Sequence, residues 1–242
     1  MKIAVIIPAR YQSSRLPGKP LIKIHGTPMV IKTYKQCCKA INSKFIFVAT
    51  DNNKIKKECE AANINVIMTP KTCLTGTDRV FEASKKIKAK TYINVQGDEP
   101  LLNPLDLSLL IKEAKKNPNE IISGYCEIKN EKDYRNLNVP KIIKSKKDYL
   151  LYASRAPIPT NKSNKFVKAW RQVCIYAFPR KTLKIFSSLK KKTQIEYIED
   201  IEYLRFLELG YKIKTLKMSD KSIAVDTVRD LKKVRQVLKS KK

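Results

Sequence analysis

The chain holds a single histidine, six glycines, and six scattered cysteines of which no two form a C-x-x-C pair. One histidine excludes His-rich metal sites and H-E-x-x-H proteases. It leaves His25 as the sole candidate for a Ser-His-Asp triad, and KIHGTP reads as a turn around it. Cys37, Cys38, Cys59, Cys73, Cys126 and Cys174 have neither the setting of a disulfide framework nor zinc-ligand spacing, and are read as free thiols. Neither G-x-G-x-x-G nor G-x-x-x-x-G-K-[ST] is present, because Gly18-Lys19 has no glycine five residues upstream, so a dinucleotide fingerprint and a P-loop are both excluded. No apolar run approaches the roughly 20 residues a membrane span needs. The opening MKIAVIIPAR is too short for a secretory leader with its cleavage site. The expectation is a cytoplasmic protein with no membrane partner.

Charge, by contrast, is abundant and one-sided. Lys and Arg number 51 against 22 Asp and Glu, a formal net charge of +29. Such a balance raises the question of nucleic acid. Only 10 of the 51 are arginine, however, and the lysines are spread over predicted helix faces and the tail. Nucleic-acid readers favour the bidentate fork of arginine. The excess is read as a solvated lysine surface that would still attract polyphosphates, with no nucleic-acid partner expected.

At roughly 150 residues per domain, 242 residues make one large domain, or one with an appended lobe. Apolar, β-branched runs at 3–9, 45–50, 65–69 and 92–97 alternate with helix-period segments at 28–41, 53–62, 77–87 and 104–116. This rhythm predicts βαβ units around a parallel sheet buried on both faces. From Ile121 the rhythm changes to strand-like stretches (ISGYCEI, VPKIIKS, YLLYAS, VKAWRQVCIYAF), predicting an inserted mixed β lobe at about 124–180. A long helix over 194–209, a strand over 211–217 and a last helix opening at Asp226-Thr227 follow.

Three clusters carry chemistry. After the first strand comes PARYQSSRLPGKP, with Arg10, Arg15 and Lys19 in one loop at the strand's carboxyl end, the edge where open α/β sheets bind ligands. Three cations held together call for an anion, and a triphosphate is the natural candidate. Ending the fourth strand is NVQGDEP: Gln96 offers an amide that can read a base or ribose edge, Gly97 allows close backbone approach, and Asp98 is a suitable hard ligand for Mg²⁺. The third is Ala224-Val225-Asp226-Thr227, a carboxylate after a short apolar strand that is also placed to cap the last helix.

Taken in order, IPARYQSSRLPGKPL, VATD, TGTDRVFEA, INVQGDEPLL, LYASRAPIP and AVDT resemble the 3-deoxy-manno-octulosonate (KDO) cytidylyltransferase family over nearly the whole chain, from Ile3 to about Val237. The resemblance implies an α/β, nucleotidyltransferase-type, mostly parallel sheet flanked by helices, with the inserted β lobe serving sugar binding and dimerisation. It implies a homodimer that joins CTP to an ulosonic acid sugar, KDO, with Mg²⁺, and releases pyrophosphate. In that family's terms Ala9, Arg10, Ser13, Arg15, Lys19, Thr77, Arg79 and Gln96 match nucleotide-binding positions. Asp98 and Asp226 match the metal-binding aspartates, with Arg10, Lys19 and Asp98 carrying catalysis. Gln96, Asn138, Lys141, Arg155, Gln172, Tyr176, Glu202 and Tyr203 fall where the family lines its sugar pocket.

The chain departs from the family pattern in places. The family reads G-T-E-R where this chain has Asp78, R-H-[IL]-G-I-Y where it has Arg171-Gln172-Val173-Cys174-Ile175-Tyr176, and L-E-Q-L-R where it has Ile201-Glu202-Tyr203-Leu204-Arg205. The last two lie on the sugar side and leave open a related substrate, such as an 8-amino octulosonate or a sialic-acid-like sugar. From another class, a nucleic-acid-binding module remains as the rival; it would bind with a steep salt dependence and leaves the carboxylates at successive strand ends unexplained.

Overall fold

The computed structural model describes residues 2–12 and 16–240. In chain order the elements are β1 (Ile3–Ala9), the short pair β2 (Lys23–Ile24) and β3 (Thr27–Pro28), α1 (Met29–Cys38), β4 (Ile46–Thr50), α2 (Asn53–Ala61), β5 (Val66–Met68), α3 (Gly76–Ser84), β6 (Thr91–Val95), α4 (Pro104–Lys116), β7 (Ile121–Ile128), α5 (Glu131–Arg135), β8 (Lys141–Lys144), β9 (Leu150–Ser154), β10 (Ala169–Pro179), α6 (Arg180–Phe186), α7 (Gln194–Glu199), α8 (Leu204–Glu208), β11 (Ile213–Lys217) and α9 (Val228–Lys239).

Among the described residues the main sheet runs β11-β7-β10-β6-β1-β4-β5, with β8 and β9 branching from β10. Strands β6, β1, β4 and β5 pair in parallel, as do β7 and β11, while β10 lies antiparallel between β6 and β7. The mostly parallel sheet flanked by helices is therefore present. β1 is buried along its whole length, as a central parallel strand must be. Its side chains alternate between two cores. Ile3, Val5 and Ile7 join Ile55 of α2 and Leu107, Leu110 and Ile111 of α4 on one face, while Ala4 and Ile6 join Val80 of α3, Phe186 of α6 and Phe206 of α8 on the other.

The stretch expected as an inserted lobe at about 124–180 shares its longest strands, β7 and β10, with this sheet; only the segment between them, carrying α5, β8 and β9, branches away. Two local expectations are corrected. The helix expected over 194–209 is broken into α7 and α8 at Asp200, whose φ is 50°. The break lets Glu202 reach the N-terminus of α3, and those hydrogen bonds outweigh the helical periodicity of the segment. At 224–225 there is no strand; Val225 N–H donates to the Asp98 carbonyl at 2.9 Å.

The KIHGTP turn joins β2 to β3. His25 and Gly26 both have positive φ, 47° and 78°, the backbone a two-residue hairpin turn needs. His25 is exposed, with its Nε2 2.8 Å from the Arg235 carbonyl, which fits a turn residue rather than a catalytic one. The six cysteines are free thiols.

Candidate active site

Because β1 and β6 are parallel neighbours, their carboxyl ends deliver two loops side by side. Ala9 and Arg10 follow β1; Gln96, Gly97 and Asp98 follow β6. The second loop passes so close to the first that a Cβ on Gly97 would lie 2.8 Å from the Pro8 carbonyl oxygen, so only glycine fits. Together with Pro8, Lys19, Pro20, Cys73, Thr75, Gly76, Arg79, Glu202 and Asp226, these residues wall one cleft.

Lys19 opens a short 3-10 turn after Gly18. Its Nζ lies 2.5 Å from Asp98 Oδ2 and 3.2 Å from Asp226 Oδ1. Burial lowers its pKa, but the two carboxylates outweigh that and hold it above the ordinary lysine value. Asp226 was expected to cap the last helix as well. The cap is instead Thr227, in a reciprocal capping box with Asp230, which leaves the Asp226 carboxylate to Lys19. A small core of Leu16, Ile24, Met29, Leu101, Val225, Leu231 and Val234 fastens this corner.

On the opposite wall, Thr75 caps α3, in a capping box with Asp78. The buried Thr77 turns its hydroxyl to Glu202 at 2.6 Å, and the Glu202 carboxylate also accepts from the backbone N–H groups of Gly76 and Thr77 at 3.0 and 2.9 Å. A carboxylate at a helix N-terminus is well placed. Burial nonetheless raises the Glu202 pKa, against the opposing hydrogen bonds from Thr77 and Gly76. Arg79 is buried and oriented by Thr69 Oγ1 at 2.6 Å and Asp51 Oδ2 at 2.8 Å. Asp51, the last residue of VATD, had no role assigned from the sequence; its place just after β4 is the signal that points to it. Glu99, next to Asp98, is buried and its carboxyl is pushed up to about 8, by burial first and then by Asp98.

Of the sequence-derived site residues, the cleft brings together Ala9, Arg10, Lys19, Arg79, Gln96, Asp98, Glu202 and Asp226. Ser13 and Arg15 lie outside the described residues. The other sugar-side residues do not line the cleft, each for an identifiable reason. Lys141 is fully buried, its ammonium donating to the carbonyls of Asn136 at 3.0 Å and Arg155 at 2.5 Å. Burial, then Arg155, pulls its pKa down to about 8. The Arg155 guanidinium serves the carbonyls of Leu137, Glu199 and Asp200, and Asn138 is exposed in the segment before β8. Gln172, Tyr176 and Tyr203 form a buried layer in which Gln172 Nε2 donates to the Tyr176 hydroxyl and the rings of Tyr176 and Tyr203 meet edge to face at 5.9 Å.

Cations and carboxylates facing one another at the carboxyl ends of parallel strands suit a polyphosphate substrate. A family model described as "Cytidylyltransferase" matches residues 4–215. The chain belongs to the cytidylyltransferase family. The 3-deoxy-manno-octulosonate cytidylyltransferase of Chloroherpeton thalassium is 36% identical over 100% of this chain and 99% of its own length. The 8-amino-3,8-dideoxy-manno-octulosonate cytidylyltransferase of Shewanella oneidensis is 36% identical over 98% of this chain and 99% of its own. Among solved structures, a CMP:2-keto-3-deoxy-manno-octonic acid synthetase complexed with CTP superposes with a TM-score of 0.91 at 32% identity, each chain covered in full.

Proposed function

We propose that this cytidylyltransferase transfers CMP from CTP to the anomeric hydroxyl of KDO and releases pyrophosphate. The observation that carries the reading is the convergence of Arg10, Lys19, Arg79, Asp98 and Asp226 on one cleft, in a chain that matches KDO cytidylyltransferases from end to end. The sugar hydroxyl attacks the α-phosphorus in line, and charge builds on the phosphoryl and pyrophosphate oxygens. The protein's work is then positioning and electrostatic stabilisation. Arg10 and Lys19 neutralise the departing pyrophosphate, Gln96 orients the substrates, and Arg79, fixed by Asp51, frames the nucleotide.

The donor set fits Mg²⁺. The carboxylates of Asp98 and Asp226 approach a common point, and both offer the hard oxygens this ion prefers. Among the described residues no group of three or more His, Cys, Asp or Glu gathers as a metal cage, so substrate phosphates and water would complete the shell. Bound there, the ion would polarise the α-phosphate and acidify the attacking hydroxyl.

We also propose a homodimer. Leu137, Leu151 and Val167 between β7 and β10, and Tyr197 and Ile198 of α7, are apolar and 59–76% exposed, surface that a second copy would cover. The proposed compartment is the cytoplasm; among the described residues no helix is long and apolar enough to cross a membrane.

The test is pyrophosphate release with CTP and Mg²⁺ against KDO, 8-amino-KDO and a sialic acid. The expected result is release with KDO; no release with any ulosonic acid would overturn the proposal. A second reading, 8-amino-KDO as the preferred sugar, is favoured by the Shewanella relative and by Gln172 and Tyr203, which depart from the family motif.

A further inference from the structure

The backbone around Lys19 is anchored by hydrogen bonds. Gly18 N–H donates to the Tyr11 carbonyl at 3.1 Å, Lys19 N–H donates to Leu16 at 3.0 Å, and the following Pro20 is buried. The backbones that carry the two carboxylates are tied together: Asp98 follows β6, and Val225, just before Asp226, donates its N–H to the Asp98 carbonyl. With the backbones held, the long lysine side chain can swing its ammonium away from the pair. Mg²⁺ takes its oxygens at about 2.0–2.1 Å. An ammonium 2.5 Å from Asp98 Oδ2 and 3.2 Å from Asp226 Oδ1 therefore stands where such an ion would sit. Two cations cannot share that place, so the ion enters only when Lys19 leaves, and an ammonium leaves a carboxylate pair readily only for another anion. The incoming triphosphate is that anion.

We propose that Lys19 is an internal counterion that keeps the divalent-metal site closed until CTP draws its ammonium onto the phosphates, so that metal and nucleotide load together. This rests on the metal site proposed above.

The experiment uses Mn²⁺ as the probe and water-proton relaxation of the nucleotide-free protein as the readout. Lys19→Met and Lys19→Gln are each expected to bind Mn²⁺ at least about tenfold more tightly than the wild type, because an opposing charge in contact with the ligands is gone. Adding Asp98→Asn to Lys19→Met should abolish the gain. Arg10→Met removes the same charge from the same cleft wall without vacating the carboxylates, and should change the affinity by less than about threefold. Wild-type affinity in both Lys19 variants, or an equal gain in Arg10→Met, would overturn the proposal. The metal assignment is read separately in the protein–CTP–Mn²⁺ complex: a relaxation enhancement that Asp98→Asn leaves intact would refute that assignment whatever Lys19 does.

Discussion

On the proposed nucleotide side, Lys19, Asp98 and Asp226 keep 17%, 23% and 30% of their side-chain surface open to solvent and face one another as full charges. On the proposed sugar side, in a layer that does not line the cleft, Gln172, Tyr176 and Tyr203 are 7%, 5% and 2% exposed and meet through a neutral hydrogen bond and a ring contact. Open charges suit a triphosphate, which must enter, bind by electrostatics and leave as pyrophosphate. A buried neutral layer suits discrimination, because a polar group left unpaired in a dry site is costly. The layer carries such groups: Gln172 Oε1 and the Tyr203 hydroxyl are buried without a hydrogen-bond partner among the described residues. Under the proposed assignment of the two regions, affinity for the nucleotide and preference among sugars draw on different physics, and should respond to mutation separately.

The strongest break should come at Asp98. Asp98→Asn removes an anionic oxygen from the open charge cluster and no packing volume. The expected kcat falls by at least about a hundredfold, the scale seen when one strong electrostatic contact to a transition state is lost. Near-normal turnover by the folded variant at limiting Mg²⁺ would detach catalysis from this cluster. Next, Lys19→Ala removes a charged phosphate contact worth roughly 1.5–3 kcal/mol, about ten- to a hundredfold in kcat/KM for CTP. Steady-state kinetics with each substrate varied in turn will check this; a loss confined to the sugar would reverse the assignment of the two sides.

Lys141 sharpens the boundary of the sugar side. Lys141→Met leaves the carbonyls of Asn136 and Arg155 without this donor, at an expected cost of about 1–3 kcal/mol by denaturant unfolding, with KM for CTP unchanged. Its lowered pKa also gives a sign. Between about 8 and the ordinary lysine value of 10.5, the unfolded chain holds a proton that the folded chain has released. Wild-type stability relative to Lys141→Met should therefore rise as pH rises through that window. A flat difference would show that burial does not set the charge of Lys141.

Much of the nucleotide side was legible in the sequence, because its residues sit in short contiguous motifs at strand ends. IPAR and QGDEP put Arg10 and Asp98 directly after β1 and β6, where alternation of strand and helix already locates the ligand edge. The sugar side was less legible because its geometry is set by contacts between distant segments. The helical period of 194–209 runs straight through Asp200, and nothing local announces that Glu202 will bond the N-terminus of α3, 125 residues away for Thr77. Lys141, expected in the sugar pocket, instead donates to the carbonyls of Asn136 and Arg155, which no local motif announces. The cap of α9 was misplaced by one residue because Asp226 and Thr227 are both good capping residues; the acidic residue three positions after Thr227, Asp230, is the signal that separates them.

The smallest expected effect is in the buried layer. Gln172→His with Tyr203→Gln replaces a neutral amide and a ring by groups of different hydrogen-bond character and volume. The ratio of kcat/KM between KDO and 8-amino-KDO should shift by at least about tenfold, roughly 1.4 kcal/mol.

The division of labour between the two regions is tested most directly by measuring kcat/KM for CTP and for KDO, side by side, in Lys19→Ala and in Gln172→His/Tyr203→Gln. The expected pattern is crossed: the first variant loses about ten- to a hundredfold in the CTP constant with the sugar preference intact, and the second changes sugar preference with the CTP constant intact. Both variants moving the same constant would contradict it.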